Sequence, residues 1–196
     1  MNRSTIIERH GYNNDNYAFW RINVGKTVIG EKLAKRLRYS FCDLDEEIKK
    51  RLQMSLEKFM SDNPFPHERY KIKGKILNDL CKEYENNVVI AVSPIFNSRN
   101  FNSLIDLEQV IAIELQDSEE HIFQRLVFSD ENDNIYKDDK YKKQHKDYYI
   151  QDIHEDIVYA RRIYKKIRNK YFIDNRSVEQ AADDLMVIIQ NISVNK

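Results

Sequence analysis

Apolar residues recur along this chain with two periods, and the alternation between them predicts an α/β fold. Ile29, Leu33 and Leu37 repeat at four-residue steps and predict a helix over about 26–38. Leu56 and Phe59 mark a shorter helix capped by Ser55, after a helix from Glu46 to about Leu52. Beyond the break at Asn63-Pro64-Phe65-Pro66, a long helix over about 67–84 turns Ile72, Ile76, Leu77, Leu80 and Cys81 inward. A partial helix is expected around 98–107. Asp117 or Ser118 caps a helix carrying Ile122, Phe123, Leu126 and Val127, another helix spans about 148–167, and Ser177-Val178-Glu179-Gln180 is a capping box for the last. Between these, Val88-Val89-Ile90-Ala91-Val92 is the clearest buried strand. Val110 to Leu115, Phe41 to Asp45, Tyr171-Phe172-Ile173 and a weak Tyr17-Ala18-Phe19 complete the strand set. Residues 1–16 are polar and Asn-rich and read as an irregular lead-in, and 129–147 read as a charged, solvated, mobile segment. The order of elements predicts a single domain, 1–196, built on a parallel sheet of about five strands with helices on both faces. In that architecture ligands sit at the carboxyl ends of the strands.

Composition narrows the partners. Of 196 residues 33% are charged, 32 basic against 32 acidic, so no global field draws the chain to nucleic acid or to an anionic membrane. The basic run Arg161 to Lys170 carries Ile163 and Ile167 at helical spacing, which favours a solvated helix face over a nucleic-acid patch. No apolar run approaches the roughly 18 residues of a membrane span, and the N-terminus lacks a signal-like apolar run, so a cytoplasmic location is expected. Cys42 and Cys81 lie in apolar-periodic surroundings without metal-like spacing and are expected reduced and buried.

The candidate chemistry starts at Trp20-Arg21-Ile22-Asn23-Val24-Gly25-Lys26-Thr27, leading into Val28-Ile29-Gly30. Its second half fits a phosphate-binding loop of pattern G-x-x-x-x-G-K-[ST] opening a helix, with Trp20 at the position of the first glycine. Gly25, Lys26, Thr27 and Val28 would surround the nucleotide phosphates. Gly30 costs helix propensity, so close packing against the sheet is expected there. Asp43 and Asp45 end a strand two residues apart, where side chains point the same way. Asp45 can cap the next helix, orient a hydroxyl or accept its proton.

Gly25-Lys26-Thr27-Val28-Ile29-Gly30, Leu33 to Leu37, Phe41 to Ile48, Met54-Ser55-Leu56, Arg161-Arg162-Ile163-Tyr164 and Tyr171 to Asp174 stand in the order and spacing of one family. Together they resemble shikimate kinase, a small P-loop phosphotransferase, over about 17–189. The resemblance implies a P-loop kinase-like α/β fold with a polar lid at 129–147. It also implies ATP and Mg²⁺ as cofactors, with Lys26 on the β/γ-phosphates and Thr27 and Asp43 at the metal. Asp45 would hold the acceptor hydroxyl, with Lys26 and Asp45 as the catalytic pair. Arg69 and Arg161 would grip an acceptor carboxylate, a task suited to the guanidinium fork. On its charged helix face Arg69 also fits a simple solvated position.

The chain departs from that family at four places. Trp20 replaces a loop glycine, Ile72 stands where a glutamate is expected three residues after Arg69, Ser93-Pro94-Ile95 replaces a glycine triplet, and no arginine lies between Ser129 and Asp147. Two functions therefore stand. One is a kinase acting on a small acceptor that bears hydroxyl and carboxylate groups. The other is a catalytically degenerate relative that binds or regulates an unknown protein partner.

Overall fold

The computed structural model describes residues 3–7, 25–84, 87–93, 103–107, 110–130 and 132–194. Five parallel strands form the central sheet: β1 (Arg3–Ile7), β2 (Ser40–Asp43), β3 (Val88–Ala91), β4 (Val110–Gln116) and β7 (Asn169–Phe172), in the order β2-β3-β1-β4-β7. The register pairs Cys42 with Ile90, Ile6 with both Ile90 and Ala112, and Leu115 with Tyr171. Around the sheet lie helices α1 (Lys26–Leu37), α2 (Leu44–Leu52), α3 (Leu56–Asp62), α4 (Pro66–Glu83), α5 (Glu119–Arg125), α6 (Asp139–Gln144), α7 (Lys146–Ile163) and α8 (Val178–Val194).

Period-two alternation splits the strand side chains between two apolar layers. Val89, Ile111, Ile113 and Leu115 face a layer with Ile29, Leu33, Ile122, Ala181 and Leu185. Val88, Ile90, Val92 and Ala112 face the other, with Leu44, Ile48, Phe59, Leu77, Leu80 and Tyr164. The three-layer α/β/α architecture is thus the expected one. Gly30 packs as its sequence context predicts, since a Cβ there would meet the Phe41 ring at 3.0 Å and Val89 at 3.7 Å. The Ser177 capping box forms in both directions: Ser177 N–H donates to Gln180 Oε1 at 2.9 Å, and Gln180 N–H to Ser177 Oγ at 3.2 Å. Neither Cys42 nor Cys81 is in a disulfide; Cys42 is buried as expected and Cys81 only partly, and burial pushes the Cys42 thiol up to about 12.

Several elements differ from expectation. The strand beside β3 and β4 is Arg3–Ile7, inside the stretch read as an irregular lead-in. The strand expected at Tyr17-Ala18-Phe19 lies outside the described residues, as do Trp20 and most of the helix expected over 98–107. The described residues of 129–147 are largely exposed, as expected, but they are not irregular. The segment contains the antiparallel pair β5 (Phe128–Ser129) and β6 (Ile135–Tyr136), followed by α6. Phe128 gathers Tyr136, Tyr141 and Tyr149 within 5.7–5.9 Å between ring centroids. Lys142 sits 5.2 Å above the Phe123 ring and donates to the carbonyls of Gln124 and Leu126, each at 2.9 Å. At the hairpin turn Asp133 adopts φ 63°, and its carboxylate accepts the Leu56 N–H at 2.9 Å, adding to the Ser55 cap of α3.

Gly30→Leu drives a branched side chain into Phe41 and Val89. The expected loss is about 1–3 kcal/mol of stability, read from the shift in a urea unfolding midpoint.

Candidate functional site

The site grows from the way β2 ends. Asp43 is the last strand residue and also the N-cap of α2, its Oδ1 accepting from the N–H groups of Asp45 at 2.8 Å and Glu46 at 3.4 Å. The cap is therefore Asp43, not Asp45 as the sequence suggested. The helix starts two residues earlier than expected because the Asp43 side chain satisfies its first free donors. Asp45 is left to turn elsewhere, and both carboxylates are buried, with Asp43 8% and Asp45 6% exposed.

Opposite them stands the first turn of α1. Gly25 is its N-cap in the left-handed conformation, φ 84°, where a side chain would be strained. Gly25 contributes no capping side chain and the first turn has no acid, so nothing within α1 offsets the positive end of its dipole. Thr27 Oγ1 donates to Asp43 Oδ2 at 2.6 Å. Lys26 Nζ lies 3.2 Å from Asp45 Oδ2 and 3.5 Å from Asp43 Oδ2. Val28 is half exposed on the same turn. Lys26, Thr27, Asp43 and Asp45, far apart in sequence, are thus in direct contact.

Lys73 was not anticipated. It is 6% exposed on the inner face of α4, its Nζ 3.6 Å from Asp45 Oδ1, and it donates to Ser93 Oγ at 2.8 Å. A buried ammonium needs such compensation. Its signal was in the sequence: Lys73, Ile76, Leu77 and Leu80 occupy one helical stripe, and a lysine in an apolar stripe requires a buried partner. Arg69, four residues earlier, shares that face but donates to the Asn63 carbonyl at 3.2 Å rather than to the aspartates. Arg161 is exposed in the last turn of α7, and no hydrogen bond or ion pair between described residues joins it to the cluster. Pro94 and Ile95 lie outside the described residues; Ser93 is buried at the end of β3.

At the carboxyl end of β4, buried Asp117 accepts from the Ser118 N–H at 2.9 Å, lies 2.9 Å from His121 Nδ1, and pairs with Arg125. Burial pushes its carboxyl up, but the Arg125, His121 and Ser118 hydrogen bonds outweigh this and hold it below its ordinary value. A cavity of about 720 Å³ lined by Val110, Lys166, Arg168 and Asn169 opens at the amino ends of β4 and β7, the opposite edge of the sheet from the cluster. Among the described residues no His, Cys, Asp and Glu group forms a metal cluster, and no helix is long and apolar enough to cross a membrane. Thr27 and Asp43 do offer adjoining hydroxyl and carboxylate oxygens, the donor type that hard divalent cations take.

Comparison with known proteins bears on the family and the fold. The family model described as shikimate kinase matches residues 22–190. The pentafunctional AROM polypeptide of Schizosaccharomyces pombe is 27% identical over 164 residues, 82% of this chain, which spans only 10% of that polypeptide's length. The shikimate kinase of Flavobacterium johnsoniae is 21% identical over 165 residues, 84% of this chain and 92% of its own. Among solved structures, the Acinetobacter baumannii shikimate kinase in complex with shikimate superposes with a TM-score of 0.63 at 18% identity, covering 100% of this chain and 95% of that one.

Because the folded Asp117 carboxyl is held low, its stabilising contribution is complete above the unfolded value of about 3.9 and is lost as pH falls through the lower folded value. Asp117→Asn is expected to lower stability at neutral pH and to flatten the acid limb of a stability-against-pH profile measured by urea unfolding.

Proposed function

The chain belongs to the shikimate kinase family, and from that premise we propose that it moves the γ-phosphoryl group of ATP to a hydroxyl of shikimate or a related small polyol acid. The observation carrying this reading is the meeting of Lys26, Thr27, Asp43 and Asp45 at the carboxyl end of β2, beside the anion-accepting start of α1. Phosphoryl transfer asks a protein mainly for positioning and charge neutralisation, and this cluster has the groups for both.

In this reading the first-turn N–H groups of α1 and the Lys26 ammonium take the nucleotide phosphates. Thr27 and Asp43 are the residues that would hold Mg²⁺, which when bound neutralises phosphate charge. Asp45 orients the acceptor hydroxyl and takes its proton on a carboxylate oxygen. The acceptor carboxylate falls to Arg69 rather than Arg161, because Arg69 lies one turn from Lys73 on the inner side of α4. The relative solved with shikimate bound supports an acceptor of that class.

Calorimetric titration with ADP and ATP, each with Mg²⁺, tests the reading. Micromolar binding is expected, weakened roughly ten- to a hundredfold by Lys26→Ala, the loss of one charge-assisted contact. Phosphorylation of shikimate should follow in a coupled assay. Absence of binding at millimolar nucleotide rejects ATP-dependent catalysis and favours a family member that has kept the scaffold for a protein partner.

A further inference from the structure

Asp45 stands between two ammonium groups. Lys26 approaches Oδ2 at 3.2 Å from the start of α1, and Lys73 approaches Oδ1 at 3.6 Å from α4. Lys26 is shared further, lying 3.5 Å from Asp43. Lys73 is fixed from its other side by Ser93 Oγ at 2.8 Å. The two lysines also differ in access: Lys73 is buried among the α4 core positions, whereas the Lys26 side chain is 16% exposed at the helix start where an anion would arrive. An incoming phosphate that recruits Lys26 draws it from Asp45, and a buried carboxylate that loses a compensating cation is destabilised.

We propose that Lys73 is a positioning residue that keeps Asp45 charge-compensated, so that Lys26 is released to an incoming polyphosphate. This rests on the nucleotide-binding reading above and assigns a residue to its electrostatics. Lys26 is the cation that exchanges partners and Lys73 the one that stays. Ser93 holds the Lys73 ammonium in place while the exchange occurs. No atom of Lys73 need touch the nucleotide, so its effect on nucleotide affinity passes wholly through the Asp45 charge.

That indirectness gives the test. Lys73→Met keeps the length and apolar stem of the side chain but removes the charge. Calorimetry with Mg-ADP is expected to show roughly tenfold or greater weakening, because binding would now draw Lys26 from a carboxylate that has already lost Lys73. In an Asp45→Asn background, where no carboxylate charge is left to compensate, the same Lys73→Met change should alter affinity by less than roughly threefold. A merely structural role for Lys73 would weaken binding equally in both backgrounds. That result, or no effect in either, overturns the proposal.

If the unaltered protein binds no nucleotide, the kinase reading fails on its own. The sharing of Asp45 is then decided in the ligand-free protein by a urea-unfolding cycle of Lys26→Met, Lys73→Met and the pair. A double variant destabilised by more than the sum of the single losses supports it, because either lysine then suffices for Asp45. Additive losses overturn it.

Discussion

Two carboxylates are buried where β2 ends, and the arrangement of the surrounding elements depends on compensating them. An unpaired charge in that position would cost several kcal/mol, roughly 3–5 by comparison with broken buried pairs. The compensation comes from three directions. Asp43 takes the free N–H groups of α2 and the Thr27 hydroxyl. Asp45 takes Lys26 from α1 and Lys73 from α4. Helices α1, α2 and α4 are thereby held by their polar contacts at one end of the sheet as well as by their apolar stripes. The cluster that looks like a phosphate site is also a structural knot.

This double use explains how the site keeps its shape with few glycines. Gly25 supplies the left-handed turn and Gly30 the close approach to Phe41. Among the described residues the remaining geometry is carried by side chains. Thr27 bonded to Asp43, and Asp43 capping α2, lock the helix starts against each other. Ser93, where the family resemblance leads one to expect glycine, anchors Lys73. A position that differs from the family is therefore integrated into the charge network.

Much of the fold was legible because it rests on periodicity. The stripes of α1 and α4, the Val88–Val92 run, the Gly30 packing and the Ser177 box follow from local pattern. Elements set by tertiary contact were not legible. Arg3–Ile7 is short, begins with a charge and sits in polar sequence, and its strand character comes from the partners on both sides. The expectation that a strand immediately precedes the phosphate loop pointed instead to Tyr17–Phe19. The aspartate pair is legible, but the cap of α2 is Asp43 rather than Asp45, because β2 ends at Asp43 and alternation does not extend past it. Lys73 was passed over because a charged residue on a helix is usually solvated, and only its place among Ile76, Leu77 and Leu80 marks it as buried. In 129–147, aromatic residues spaced among charges meet only once the hairpin closes onto Tyr149.

The Asp133 contact with Leu56 joins that hairpin to the start of α3, 77 residues away in sequence. One carboxylate thus serves as part of a turn and as part of a distant helix cap. The hairpin cannot swing away without returning an N–H of α3 to water. Exchange of the Leu56 amide proton with solvent is consequently tied to hairpin movement, and that single amide reports on opening of the hairpin.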